Sequence, residues 1–213
     1  MDNNILILIL SFVGVIVSLT IHEFAHAASA KYFGDNTAEA MGRLTLNPLA
    51  HIDWFGTVLL PLALVFMGLP AFGWAKPVPV NPYNLRNPKI SSGLVSAAGP
   101  IANLILLIIS AILLKLISPY LGVQNLLVYF LYSLFVVNVV LMVFNLIPIP
   151  PLDGSRVLFS LLPDKYNNFK NWLSFNGPWV LLVLIIIDSF FNRGVLNIIF
   201  DFILQLLQRL LNL

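Results

Sequence analysis

The chain has 213 residues, of which 59% are hydrophobic and 9% are charged, and its formal net charge is +2. Soluble domains carry about 25% charged residues, so this composition excludes an ordinary soluble protein and predicts that lipid covers part of the surface. The small net charge gives no reason to expect nucleic acid as a partner. The absence of cysteine excludes disulfides, thiolate zinc sites and a cysteine nucleophile. We therefore expect residues 1–213 to form a single integral membrane domain.

Six apolar segments follow one another along the chain. They cover residues 5–30, 55–72, 94–117, 126–147, 178–191 and 195–213. The first, third and fourth are each about 20 residues or longer, enough to cross the hydrocarbon of a bilayer as helices. The second is shorter and is interrupted by Pro61, Gly68 and Pro70. These lengths predict an all-α polytopic membrane protein, a helix bundle with three core transmembrane helices.

The last two segments predict a hydrophobic helical tail at residues 178–213. Its first part, 178–191, is short for a membrane span. Its second part places polar residues three or four positions apart on one side of an otherwise apolar helix. That polar stripe consists of Asn197, Asp201, Gln205, Gln208 and Asn212. This helix is expected either to lie in the membrane interface or to pack its stripe against the bundle, so the number of crossings in the tail stays open.

The first apolar segment ends in the sequence HEFAH at residues 22–26, an H-E-x-x-H pattern. On a helix, residues i and i+4 lie on one face, so His22 and His26 can both reach one ion. Glu23 lies about 100° round the helix from His22, a position suited to holding a water molecule beside the ion. A lone histidine in an apolar helix is usually a structural core residue. Ionisable residues in or beside a membrane span instead point to function, and this pair predicts a metal site.

A catalytic zinc site needs a third protein ligand and one open position. The best placed acidic residue is Asp153, in the stretch NLIPIPPLDG that follows the fourth apolar segment. Pro148, Pro150 and Pro151 are expected to end the preceding helix. Irregular backbone at membrane depth is tolerated only where it is buried in protein or lines a wet cavity. Gly154 would allow a sharp turn beside the ion. The alternative is an ordinary interfacial turn that carries a solvated aspartate.

Three further polar residues are candidates for roles in a site. Asn103 and Asn145 could donate hydrogen bonds to a developing oxyanion or orient a ligand. Asparagine also commonly joins helices in membrane bundles, and the spacing alone does not separate these roles. His51, in LNPLAHID, is a candidate for substrate binding, although its surroundings favour a plain position in an interfacial loop.

Three stretches occur in the order typical of the site-2 protease family of intramembrane zinc metalloproteases. They are HEFAH (22–26), AAGPIAN (97–103) and NLIPIPPLDG (145–154). The stretch GRLTLNPLAHID (42–53) also resembles the short bacterial members. The resemblance covers residues 18–156, about two thirds of the chain. No stretch resembles a PDZ-like insert or a cystathionine-synthase-like tail, so substrate selection is expected to come from the membrane core or from a separate regulatory partner.

The resemblance implies a fold core at about residues 5–160 and assigns roles within it. One Zn²⁺ would be bound by two histidines and an aspartate, a glutamate would be the catalytic base, and two asparagines would act in the active site. These residues are His22, His26 and Asp153 as ligands, Glu23 as the base, and Asn103 and Asn145.

The metal site constrains the topology. His26 and Asp153 must meet at one depth, and both lie near the C-terminal ends of their helices, so the first and fourth segments must run in the same direction. We therefore predict that residues 52–93 form a re-entrant segment, which enters the membrane and returns to the same side. With the N-terminus outside, eight of the 11 Lys and Arg residues become cytoplasmic, as the positive-inside rule requires. This predicts a multi-pass protein of the cell membrane with its active site toward the cytoplasm.

The predicted activity is zinc-dependent hydrolysis of peptide bonds in single-span or membrane-anchored protein substrates, within or near the bilayer. A helical substrate must unwind before attack because its amides are hydrogen-bonded. Val78 and Val80, in GWAKPVPVN, could pair with the unwound strand by strand addition. Pro77 and Pro79 lack an N–H, so only part of this edge could donate. The segment could equally be a plain connection.

Other functions are compatible with parts of this pattern. A zinc transporter would need a relay of ligands across the membrane, but residues 104–114 and 126–137 contain no ionisable side chain. A non-catalytic metal sensor would not need Glu23. A zinc hydrolase acting on lipid or another non-peptide bond fits the motifs alone, and only the family resemblance disfavours it.

Overall fold

The computed structural model describes residues 3–67, 76–190 and 194–211, and all regular secondary structure in these ranges is helical. The α-helices are α1 (Asn3–Tyr32), α2 (Thr37–Ala40), α3 (Leu60–Phe66), α4 (Pro88–Leu121), α5 (Leu126–Asn145), α6 (Asp153–Leu161), α7 (Asn167–Phe190) and α8 (Val195–Leu211). Short 3₁₀ turns cover Pro48–Ala50, Pro82–Asn84 and Asp164–Tyr166, and a π-helical turn, Trp54–Leu59, leads into α3. The predicted all-α fold is confirmed.

Among the described residues, four helices are long and apolar enough to cross a membrane. These spans are Ile5–Tyr32, Pro88–Leu121, Leu126–Asn145 and Asp164–Asp188. The first three correspond to the predicted core helices. The expectation of a short segment at 178–191 was wrong, because residues 178–190 are the second half of α7, which has 24 residues. Residue 191 lies outside the described residues. Pro178 lies inside α7 rather than at its start, and the helix turns before it mix polar residues with Phe169, Trp172, Leu173 and Phe175.

The long helix α4 is bounded by residues suited to helix ends. Its N-cap is Asn87, whose side chain accepts a hydrogen bond from the N–H of Ile90, and Pro88 occupies the first helical position. It ends at Gly122, whose φ of 77° is readily adopted only by glycine. At 34 residues, α4 is about 50 Å long, so it extends beyond a hydrocarbon layer about 30 Å thick.

The connection between α1 and α4 begins and ends at the same end of the bundle. The N–H of Arg86 donates to the carbonyl of Phe33 at 2.9 Å, so α4 starts beside the point where α1 stops. Within this connection, the N–H of Lys76 donates to the carbonyl of His51, also at 2.9 Å, so His51 and Lys76 lie side by side. Helix α4 therefore runs antiparallel to α1. The short link 122–125 then makes α5 parallel to α1, as the predicted topology requires.

Residues 76–81, which we call the connecting segment, run without helix or strand structure back toward α4. Asp35 anchors the end of this segment. Its carboxylate accepts hydrogen bonds from the hydroxyl of Thr37, from the N–H of Thr37 (3.0 Å), from the N–H of Asn81 (2.6 Å) and from the side-chain amide of Asn84 (3.0 Å). Burial by itself raises the pKa of Asp35, but these donors outweigh it and hold the pKa below its ordinary value.

An apolar cluster between α4 and α5 forms the main core of the described residues. It consists of Leu107, Ala111, Leu114, Val128, Leu131, Phe135 and Val139. Ile203 and Leu204 of α8 pack against this cluster, while Asp201 and Gln205 on the same helix are exposed. The apolar face of α8 therefore faces the bundle at this level. Asn212, the last member of the predicted stripe, lies outside the described residues.

The outer surface of the bundle is itself apolar. On α4, for example, Ile105, Ile109 and Ile112 are each about half exposed, at 53%, 48% and 50%. Large apolar side chains exposed together in this way need an apolar solvent. The prediction of a multi-pass membrane protein is confirmed, while its orientation stays a prediction.

Candidate metal centre

Three potential ligand atoms converge where α1 meets the start of α6. The Nε2 atoms of His22 and His26 lie 3.0 Å apart, and Asp153 Oδ2 lies 3.2 Å from each. In a tetrahedral zinc site with bonds of about 2.05 Å, neighbouring ligand atoms are about 3.3 Å apart. His22 and His26 are buried, and Asp153 is partly buried. The residues predicted as ligands therefore form a cluster of the size that zinc requires.

Asp153 reaches this cluster through a tight turn after α5. It is the first residue of α6, and the turn before it is closed by the N–H of Leu152 donating to the carbonyl of Ile149 at 3.0 Å. The expectation that Gly154 makes a sharp turn was wrong, because Gly154 lies within α6. A Cβ on Gly154 would lie 2.2 Å from the carbonyl oxygen of Leu146. Glycine is needed here because the backbone of the turn packs directly against the start of α6.

Gly99 of α4 forms the floor of the cluster. A Cβ at this position would lie 2.5 Å from His22 Cε1 and 2.5 Å from His26 Nε2. Any larger residue would push the two imidazoles out of their places. The glycine in AAGPIAN therefore leaves the space in which the two histidine rings meet.

Hydrogen bonds on the far side of each ring determine what the cluster can bind. His26 Nδ1 donates to the carbonyl oxygen of Val95 at 2.7 Å, and His22 Nδ1 donates to Asn103 Oδ1 at 2.5 Å. A neutral imidazole has one N–H, so in both rings Nε2 carries a lone pair. Two lone pairs and a carboxylate oxygen then face one another with no hydrogen between them. A cation satisfies all three groups, and this donor set of two imidazoles and a carboxylate suits Zn²⁺.

Glu23 lies beside the cluster but is not part of the ligand group. Its Oε2 accepts a hydrogen bond from the backbone N–H of Val78 at 2.9 Å. The connecting segment is thereby joined to the residue predicted as the base. Val80, two residues further on, packs in part against a small apolar cluster of Ala30, Leu85 and Val95. The roles of Val78 and Val80 in substrate binding stay predictions.

A chain of buried polar side chains continues behind His22. Asn103 Nδ2 donates to Asn138 Oδ1 at 2.8 Å, and Asn138 Nδ2 donates to Ser18 Oγ at 2.9 Å. Ser18, Asn103 and Asn138 are all 0% exposed. Asn103 thus contacts a predicted ligand and also joins α4 to α5, so its role in the site stays a prediction. Asn138 was missed from the sequence, where a single asparagine in an apolar helix resembles the asparagines that join membrane helices.

The other two candidates have different surroundings. Asn145, the last residue of α5, donates from Nδ2 to the carbonyl of Leu141 at 3.0 Å. His51 is 2% exposed rather than placed at an open interface. Its Nε2 donates to the carbonyl of Thr45 at 2.8 Å, and its buried Nδ1 has no partner among the described residues. Catalysis by Asn145 and substrate binding by His51 stay predictions.

Comparisons with known proteins agree with this geometry. The family model described as Peptidase family M50 matches residues 10–122 and 120–185. The chain is 42% identical over 200 residues to "Putative zinc metalloprotease YwhC" of Bacillus subtilis, covering 90% of this chain and 88% of the relative. It is 31% identical over 202 residues to "Putative zinc metalloprotease Rip2" of Mycolicibacterium smegmatis, covering 92% and 73%. It is 27% identical over 171 residues to "Zinc metalloprotease MJ0392" of Methanocaldococcus jannaschii, covering 80% and 39%. No solved structure matches the chain.

A bundle of apolar helices that holds an H-E-x-x-H pair against an aspartate at one helix start defines a membrane zinc metalloprotease. The family match extends over most of the chain and includes both parts of the ligand group. The protein belongs to peptidase family M50, the site-2 proteases. The resemblance found in the sequence is confirmed.

Proposed function

We propose that this protein cleaves peptide bonds of membrane-spanning or membrane-anchored proteins, within or near the bilayer, using one Zn²⁺ per chain. The proposal rests on the hydrogen bond between Glu23 and the N–H of Val78, 2.9 Å long. It brings a carboxylate base, the metal ligands on the same helix and a non-helical stretch of backbone into one place. Hydrolysis of an unwound peptide needs these three elements together.

The residues of the chain divide the chemistry among them. His22, His26 and Asp153 would hold the Zn²⁺, which would supply polarisation of the scissile carbonyl and a lowered pKa of water, toward 7. Glu23 takes a proton from the attacking water and delivers it to the leaving amine. Asn145 is the better candidate for steadying the oxyanion, because it is only partly buried, whereas Asn103 is 0% exposed. Asn103 uses both ends of its amide to hold His22 and Asn138.

The connecting segment is suited to receive an extended substrate strand. Residues that precede proline avoid the helical region, and this applies to Lys76, Val78 and Asn81. In an extended chain, alternate residues face the same side, so Val80 shares the side on which Val78 meets Glu23. Pro77 and Pro79 fall on the opposite side, where their missing N–H groups are not needed. Because the N–H of Val78 is given to Glu23, a substrate strand would pair with the carbonyl of Val78 and with the N–H and carbonyl of Val80.

Zinc transport has less support from the structure. The apolar cluster between α4 and α5 is closely packed from Leu107 to Leu114 and includes Phe135, which is 0% exposed. It contains no ligand that could pass an ion onward from the cluster at His22. Among the described residues, the only group of three or more possible ligands is His22, His26 and Asp153.

The direct test is cleavage of a membrane-spanning peptide by the purified protein in lipid vesicles. The peptide carries a different label at each end, and mass spectrometry locates the cut. We expect a cut within or near the apolar span that stops when a chelator removes zinc and resumes when zinc is restored. Cleavage that is indifferent to zinc, or zinc-dependent hydrolysis of the lipid with the peptide intact, would reject the proposal.

We further propose that the protein lies in the cell membrane with its N-terminus outside and its active site toward the cytoplasm. Eight basic residues then lie on the cytoplasmic side: Lys31, Arg43, Lys76, Arg86, Lys89, Arg156, Lys165 and Lys170. The hydrogen bonds Arg86–Phe33 and Lys76–His51 support this orientation, because each joins two parts of the chain that it assigns to the cytoplasmic side.

Reporter fusions test this orientation. Fusions after residues 35 and 85 are expected to report the cytoplasm equally, because both positions lie at the end of the bundle where α1 stops and α4 starts. A fusion after residue 123, in the link between α4 and α5, serves as the control and is expected to report the outside. Opposite sides for residues 35 and 85 would contradict a re-entrant 52–93.

A further inference from the structure

We propose that Asn138 is a positioning residue that sets the tautomer of His22, acting through Asn103. Asn138 on α5 and Asn103 on α4 link a backbone carbonyl of α5 to His22 on α1. The inference rests on zinc binding by His22 in the proposed function. Its readouts are the protonation of a ring nitrogen and the affinity for zinc, so it can fail independently of peptide cleavage.

The carbonyl of Leu134 determines how the side-chain amides of Asn138 and Asn103 are oriented. Asn138 Nδ2 lies 2.8 Å from this oxygen, which can only accept a hydrogen bond, so the NH₂ end of the Asn138 amide must face it. The same NH₂ group donates to Ser18 Oγ, whose own hydrogen goes to the carbonyl of Gly14 at 2.7 Å. The oxygen end of Asn138 is then left to face Asn103.

The same logic continues from Asn138 to the metal ligand. An oxygen on Asn138 requires a donor, so Asn103 presents Nδ2 to it and turns its Oδ1 toward His22. An amide oxygen can only accept, so His22 Nδ1 carries the hydrogen and Nε2 keeps the lone pair that a metal needs. A backbone carbonyl on α5 thus fixes the tautomer of a ring on α1 through two side-chain amides.

Burial strengthens the preference of the two amides for this orientation. Ser18, Asn103 and Asn138 are all fully buried, so a reversed amide would set two donors or two acceptors face to face with no water to relieve them. His26 meets the same requirement more directly, since its Nδ1 donates to the backbone carbonyl of Val95. The two ligands are therefore held in the same tautomer by different means.

The test replaces Asn138 by leucine, which has a similar size and cannot accept a hydrogen bond. Asn103 can then turn its NH₂ toward His22, which moves the ring hydrogen to Nε2. The chain has three histidines, so selective ¹⁵N-histidine labelling resolves each ring in the zinc-free protein. We expect two Nδ1–H rings and one Nε2–H ring in the wild type, because His51 donates from Nε2. In Asn138→Leu we expect His22 to change from an Nδ1–H ring to an Nε2–H ring. We also expect zinc affinity to fall about 10–100-fold.

Two further variants separate positioning from general stability. Ser110→Ala removes a buried hydroxyl on α4, which among the described residues donates to the carbonyl of Leu107, and is expected to keep the wild-type histidine pattern and zinc affinity. If Asn138→Leu does not fold, Asn138→Ser replaces it. Its hydroxyl can donate to Leu134 within its own helix but is too short to serve Asn103, so the same shift at His22 is expected. Two Nδ1–H rings with wild-type zinc affinity in the folded Asn138 variant would overturn the proposal.

Discussion

Replacing Glu23 by glutamine is expected to leave zinc bound and to slow peptide cleavage by about 10²–10⁴-fold, the usual contribution of a general acid–base group. Glu23 lies outside the group of His22, His26 and Asp153, so the ligand set is unchanged. The amide oxygen of glutamine can still accept the N–H of Val78, so the connecting segment should stay in place. What is lost is the ability to take and return a proton. The measurements are the cleavage rate of the membrane-spanning peptide and zinc affinity by competition with a chelator.

A suitable control for this prediction is Glu39→Gln. Glu39 is an exposed glutamate that pairs with Lys31, eight residues away in the chain, and its loss should affect neither cleavage nor zinc binding. Equal cleavage by wild type and Glu23→Gln would reject the proteolytic mechanism. Loss of zinc from Glu23→Gln would show instead that Glu23 is a ligand. Zinc uptake into vesicles that survives this substitution would favour transport.

The parts of the site predicted from the sequence are those that depend on local geometry. His22 and His26 are four residues apart on one helix, so their common face follows from the helical repeat alone. Asp153 is distant in sequence, but the requirement that it meet His26 at one depth fixes the direction of the intervening helices. The hydrogen bonds Arg86–Phe33 and Lys76–His51 show the chain turning back as that requirement predicts.

The parts that could not be predicted depend on contacts between distant helices. Asn138 lies 35 residues from Asn103 and 120 residues from Ser18, and no local pattern relates these three positions. The role of Gly99 also depends on two rings of another helix lying directly over it. Gly154 was recognised as significant. Glycine is needed there because the carbonyl of Leu146 packs closely against α6, and not because the chain turns at this residue.

The boundaries of α7 show why composition alone does not predict where a membrane helix begins. The apolar stretch after Pro178 reads as a short segment, because Pro178 and the polar residues before it resemble a connection. In the structure, these polar residues lie in the first turns of one continuous helix, at the end expected to face water. Composition identifies the part of a span that lies in hydrocarbon, and the helix continues past it wherever its backbone hydrogen bonds can be kept.

Asp153→Ala is expected to weaken zinc binding by about 10²–10³-fold and to abolish cleavage at ordinary zinc concentrations. Structural zinc sites with four ligands are worth roughly 10–16 kcal/mol, so one ligand contributes about 3–4 kcal/mol, and each 1.4 kcal/mol is a factor of ten in affinity. The substitution also removes the single negative charge of the ligand group. Because the two rings are held through Nδ1 by Asn103 and Val95, they should keep their places, so the loss reflects the ligand itself.

Asp164→Ala is the matched control for this variant. Like Asp153, Asp164 is an acidic residue in the first turn of a short helical element, but it is exposed and pairs with Lys89 at 2.7 Å. Both variants lose an acid at a helix start, and only one loses a ligand. We expect zinc affinity and cleavage to be unchanged in Asp164→Ala. If zinc affinity falls equally in the two variants, or if Asp153→Ala keeps wild-type affinity, then Asp153 does not bind the metal and the third ligand must be sought elsewhere.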